Sequence, residues 1–185
     1  MMEDARIIDL YWQRDESAIS ETAAKYGKYL HSISYGILRN EEDAEECVSD
    51  TYAGAWQAMP PHRPSVLQTF LGKITRRISI SLWRKRSAEK RGGGETALAL
   101  DELEECVSGE GNAESEAERR ELREKLNAFL RALPPTERQV FLRRYWYMDP
   151  VADIAARFAC SESRIKSMLY RTRKKLRAML EEEGY

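Results

Sequence analysis

Residues 149–177 read DPVADIAARFACSESRIKSMLYRTRKKLR, which is the pattern of two helices joined by a very short turn. Asp149 is placed to cap a helix whose first position is Pro150, where a missing N–H costs nothing. Val151, Ile154, Ala155 and Phe158 then recur at helical spacing and give that short helix one buried face. Ala159, Cys160 and Ser161 interrupt the pattern, and Ser161 is a good N-cap for the second helix. That second helix turns Ile165, Met168, Leu169, Thr172 and Leu176 inward. Its other faces carry Arg164, Lys166, Arg171, Arg173, Lys174, Lys175 and Arg177, with no acid between them. A short helix, a tight turn and a longer basic helix are what a helix-turn-helix needs to set its second helix in a DNA major groove. Basic amphipathic helices also occur on ordinary surfaces, so the rest of the chain must decide between the two.

The 185 residues suffice for one moderate domain or two small ones. No apolar run approaches the roughly 20 residues a membrane span needs. The first residues, Met1-Met2-Glu3-Asp4, lack the basic region and apolar core of a secretory signal. Cys47, Cys106 and Cys160 are odd in number and widely spaced, and His31 and His62 are isolated. A reduced, cytoplasmic protein without metal or cofactor is expected. The net charge of −1 conceals strong segregation. Arg63, Lys73, Arg76, Arg77, Arg84, Lys85, Arg86, Lys90 and Arg91 face the single acid Glu89 over residues 63–91. Residues 95–118 reverse the balance, with nine acids and no Lys or Arg. Two basic blocks separated by an acidic one cancel in the sum, yet each makes its own local field.

Taken in order, residues 4–14 read as a short helix with Ile7, Ile8 and Tyr11 on one face. Asp15 can cap the next, which runs to about Leu38 with Ile19, Ala23, Tyr26, Leu30, Ile33 and Ile37 inward. Asn40 caps a third, with Asp43 at the reciprocal capping position and the Pro60-Pro61 pair ending it. Ser65 caps a fourth that buries Leu67, Phe70, Leu71, Ile74, Ile78 and Leu82. Gly92-Gly93-Gly94 then reads as a hinge, and the acidic stretch beyond it as a linker, at best partly helical, with only Leu98, Leu100, Leu103 and Val107 to anchor it. Helical spacing returns at about Glu116 with Leu122, Leu126, Phe129, Leu130 and Leu133, and Pro134-Pro135 separates that helix from one burying Val140, Phe141 and Tyr145. The terminal Glu181-Glu182-Glu183 is expected to fray. The fold expected is all-α: two small helical domains, residues 1–91 and 118–185, joined by a flexible acidic linker, residues 92–117.

An enzyme finds little support, because the chain has no P-loop, no Gly-rich dinucleotide turn and no nucleophile elbow. Glu41, Glu42, Asp43, Glu45 and Glu46 point in different directions around one helix, which suits a solvated or partner-facing surface better than acid–base work. On the fourth helix, basic residues with Trp83 among them suit phosphates plus a stacked base, unless Trp83 is simply core.

Three segments carry a family resemblance. LPPTERQVFLRRYWYMDPVADIAARFACSESRIKSMLYRTRKKLR, residues 133–177, resembles the C-terminal promoter-binding region of bacterial sigma factors of the sigma-70 family, extracytoplasmic-function group. EEDAEECVSDTYAGAWQAM, residues 41–59, resembles that group's core-polymerase-binding helix. FLGKITRRISISLWRKR, residues 70–86, resembles the helix that melts and reads the minus-ten element. The acidic linker stands where larger sigma factors have a middle domain.

The resemblance implies that Asp43, Glu46, Ser49, Asp50 and Trp56 dock on the clamp helices of the polymerase β′ subunit, with the β flap a second polymerase contact. It implies that Ser161, Glu162, Ser163, Arg164, Lys166, Ser167 and Arg171 sit at or near the minus-thirty-five element, with Arg173 and Lys174 toward the backbone. Arg63, Lys73, Arg76, Arg77, Trp83, Arg84 and Lys85, with the loop from Pro61 to Ser65, would hold the unpaired minus-ten strand. The linker would thread the polymerase channels, and an anti-sigma factor is a further partner of the kind the resemblance implies. The chain departs from the family's usual Gln at Ser49, Trp at Phe70, Asn at Arg77 and Asp at Ser81. The rivals are a helix-turn-helix regulator of the two-component output type, which would not need the first domain, and a helical adaptor that binds protein alone.

Overall fold

The computed structural model describes residues 2–89, 94–104 and 116–183. Among them are nine α-helices and no strand, as expected of an all-α chain. The chain divides into two compact units, Met1–Gly92 and Gly93–Tyr185.

The first unit holds α1 (Asp4–Trp12), α2 (Ser17–Leu38), α3 (Glu41–Ala58) and α4 (Leu67–Glu89). Helices α2, α3 and α4 each pack on the other two, and α1 lies on α2. The core joins Ile7, Tyr11, Tyr26, Leu30, Ala55, Met59, Leu67 and Leu71 from all four helices. Hydroxyls cross it in satisfied pairs: Tyr11 with Thr22 at 3.0 Å, Thr51 with Thr75 at 3.0 Å, and Ser79 with Ser34 at 2.9 Å. The threonines and Ser79 also bond carbonyls one turn back in their own helices, so these buried groups keep partners and avoid the cost of an orphaned polar atom. Helices α3 and α4 approach closely at Gly54, where a Cβ would stand 3.2 Å from Ile74 Cγ2.

The second unit holds α5 (Gly94–Glu104), α6 (Glu116–Ala132), α7 (Pro135–Tyr145), α8 (Val151–Arg157) and α9 (Glu162–Glu182). Helix α7 packs against α5, α8 and α9. Val140, Phe141, Tyr145, Met148, Ile154, Ile165, Leu169 and Leu176 are among the unit's buried apolar residues. Ile165, Leu169, Thr172, Leu176 and Leu180 form the buried stripe of α9, with Met168 half-buried at its edge.

The structure refines several local expectations. Within the segment expected to be a linker and at best partly helical, residues 94–104 form α5, which buries Thr96 and Ala99 while Leu98 is 54% exposed. Gly92, Gly93, Cys106 and Val107 lie outside the described residues. Asp149 does not cap α8: Pro150 occupies the N-cap without a side-chain bond, and Asp149 pairs with Arg143 at 3.0 Å. The terminal acids do not fray after Leu180, because Glu181 pairs with Arg177 and Glu183 with Lys125 of α6. Asp43 makes no reciprocal capping bond, because its carboxylate faces Arg86 of α4.

Candidate nucleic-acid and partner interfaces

Ser161 opens α9 as expected, its Oγ accepting the Arg164 N–H at 3.2 Å. The turn before it depends on Ala159 adopting a left-handed backbone at φ 49°, an uncommon state for a residue with a Cβ. Beyond that cap the helix presents Ser163, Arg164, Ser167, Arg171 and Lys174 to solvent. Tyr170, to which the sequence pattern assigned no role, is 52% exposed among them, with Lys174 Nζ 5.2 Å from its ring centre. An aromatic off the apolar stripe, one turn from Lys166 and from Lys174, was the signal that could have marked it. Lys166 is also exposed and pairs with Glu162 one turn earlier at 3.4 Å. An arc of short hydroxyls and long cations on a capped helix can reach both base edges and phosphates.

Arg173 does not belong to that arc. It is turned inward, 17% exposed, with Nη1 3.2 Å from Glu102 Oε2 and 2.8 Å from the Tyr145 hydroxyl. Glu102 also receives Arg144 at 3.2 Å and the Tyr145 hydroxyl at 2.7 Å. Burial, reinforced by the Glu102 carboxylate, pushes the Tyr145 phenol well above its ordinary pKa and keeps it a donor.

In the first unit Lys73, Arg77, Arg84 and Lys85 of α4 are exposed, while Arg76 and Trp83 are half-buried. Burial lowers the Arg76 pKa to about 10, which leaves it charged at neutral pH. Arg63 pairs with Asp9 at 2.5 Å and lies 5.7 Å from the centre of the Trp12 ring. Phe70 stacks on His62 of the preceding loop, ring centres 5.1 Å apart. The basic face of α4 and that loop therefore belong to one surface of the unit.

On α3, Glu46, Ser49 and Asp50 are exposed with Glu42 and Glu45, giving the acidic row the spacing suggested. Asp43 is not part of it. It is 6% exposed beneath the Arg86 ion pair, because it falls on the apolar stripe beside Ala44 and Cys47. Trp56 is half-buried, edge-on to Tyr11 at 6.1 Å and beneath Arg14, whose Nη1 also donates to the Trp56 carbonyl at 2.6 Å. Its free edge lines a groove with Ile19, Ser20, Ala53 and Gln57.

A capped basic helix set against a shorter one across a tight turn is the build of a helix-turn-helix protein. Comparison with family models sharpens this: residues 23–89 match Sigma-70 region 2, and residues 123–176 match Sigma-70, region 4. The matches together cover more than half of the chain and occur in that order. The chain belongs to the sigma-70 family, and its two regions are those of a sigma factor in promoter-specific transcription initiation. No curated protein matches the chain. No described helix is long and apolar enough to cross a membrane.

Proposed function

We propose that the protein binds core RNA polymerase, carries it to promoters and opens them, as a sigma factor of the extracytoplasmic-function group that works in the cytoplasm. The observation that carries this is the exposed arc of Ser163, Arg164, Ser167, Arg171 and Lys174 on α9, in a chain that also holds a region 2 bundle. The arc suits the minus-thirty-five duplex: Arg164 and Arg171 for base edges, Lys174 for phosphate. In the first unit, Glu46, Ser49 and Asp50, with the open edge of Trp56, suit a basic polymerase surface such as the β′ clamp helices. Lys73, Arg77, Arg84 and Lys85 suit the phosphates of an unpaired minus-ten strand, and Trp83 and Phe70 offer rings beside them. The group assignment is supported by the interval between the matched regions, residues 90–122, in which α5 is the one described helix before α6 begins. A two-component output regulator would leave the first unit without a role.

Core polymerase reconstituted with this protein on a fragmented genomic template tests the proposal. Transcripts starting at discrete sites that share an upstream motif are expected. Transcription no different from core enzyme alone would overturn it.

A further inference from the structure

Arg144, Tyr145 and Arg173 converge on the carboxylate of Glu102. Arg144 of α7 is 1% exposed, and a guanidinium that deeply buried requires a counter-charge and bonds for its N–H groups. Glu102 supplies the charge: Arg144 Nη2 lies 3.2 Å from Oε1 and Nε 3.5 Å from Oε2, while Nη1 donates to the Asp149 carbonyl at 3.3 Å. The same carboxylate takes the Tyr145 hydroxyl and Arg173, so one acid on α5 binds α7 and α9 together. Leu98 and Glu102 then wall a cleft whose other side is Val151 of α8 with Glu162, Lys166 and Arg173 of α9. Helix α5, packed on α7, thus reaches the helix assigned to DNA through Glu102, whose carboxylate sits on Arg173 where a phosphate would otherwise bind.

We propose that α5 is an internal acidic ligand of the second unit, which holds Arg173 and one flank of α9 away from DNA until it is displaced. The proposal rests on the assignment of α9 to promoter DNA. Phosphate and the Glu102 carboxylate compete for the same guanidinium, so DNA binding and α5 docking oppose each other, and DNA affinity is reduced by the docked fraction.

The test measures binding of the full chain to a short fluorescein-labelled duplex of mixed sequence at low salt, using wild type, Glu102→Gln, Asp101→Asn and Arg171→Ala. Asp101 is exposed on the same helix, so its variant matches the charge change without touching the cluster. Glu102→Gln is expected to tighten binding about tenfold, Asp101→Asn by less than about twofold, and Arg171→Ala to weaken it. Equal gains from the two α5 variants would overturn the internal ligand. An Arg171→Ala protein that binds like wild type would overturn the DNA assignment beneath it. Hydrogen exchange on the wild-type chain gives a readout that needs no variant: duplex DNA should speed exchange of the α5 amides, and unchanged or slower exchange would overturn the proposal.

Discussion

Arg173 and Arg164 lie on one helix, and sequence alone assigns both to DNA, yet the structure predicts opposite behaviour for their alanine variants. Arg173 is 17% exposed and gives N–H bonds to a carboxylate at 3.2 Å and a phenol oxygen at 2.8 Å. A half-buried bond to a charged group contributes about 1.5–3 kcal/mol. The lower end applies here, because Glu102 keeps Arg144 and the Tyr145 hydroxyl when Arg173 is gone, so no carboxylate is left unpaired. A loss of about 1.5 kcal/mol in a unit of this size lowers its midpoint by about 6–12 °C. Arg164 is exposed, and Arg164→Ala should change stability by no more than about 0.5 kcal/mol. Its effect should fall on promoter binding, about 1–3 kcal/mol and confined to specific sequence if it reads a base. Differential scanning calorimetry of the full-length variants, with the exposed neighbour Lys174→Ala as a control, measures the first effect. An Arg173→Ala protein that melts like Lys174→Ala would refute the inward placement of Arg173 and the reasoning built on it.

Asp50→Arg should weaken association with core polymerase in a pull-down while leaving the melting curve unchanged. Asp43→Ala should instead destabilise the first unit by about 1 kcal/mol, because it removes the buried carboxylate that ties α3 to Arg86 of α4, while the half-exposed Arg86 stays solvated. Asn40→Ala and Ser161→Ala each remove a side-chain cap and should cost about 1 kcal/mol, read by denaturant titration as a shift of midpoint at constant slope. Burial raises the Asp4 pKa, but hydrogen bonds from Lys25 and Tyr26 and the Lys25 charge outweigh it and hold the carboxyl below 3.8. A depressed folded-state pKa contributes stability that is present above the unfolded value and lost as pH falls through the folded one. Wild type should therefore lose its advantage over Asp4→Asn as the pH drops below about 4, and a constant difference down to acid pH would contradict the assignment.

The family and most of the fold were legible because their signals are local. The apolar spacings of α2 and α9 survive for the most part as buried stripes, and the caps Asn40 and Ser161 sit where a short polar residue precedes an acidic first turn. Local rules failed at Asp149. A good capping residue before Pro150 was drawn instead to Arg143, an ion pair competing successfully with a helix end. In the acidic segment composition allowed at best partial helix and gave no sign of where α5 attaches. Thr96 and Ala99 bury small side chains, and Glu102 draws on three partners in α7 and α9.

Helical periodicity, composition and turn chemistry thus set the all-α class, the helix-turn-helix and the sigma-70 resemblance, since each depends on residues a few positions apart. Which charges reach solvent was decided by tertiary contact. Asp43 and Asp50 belong to one acidic run, yet Asp43 is taken by an arginine 43 residues away while Asp50 stays exposed. Arg173 and Lys174 are neighbours in a basic run, yet Arg173 turns to an acid 71 residues away. A charge alters its own helix little, but its accessibility depends on whichever opposite charge the fold carries to it.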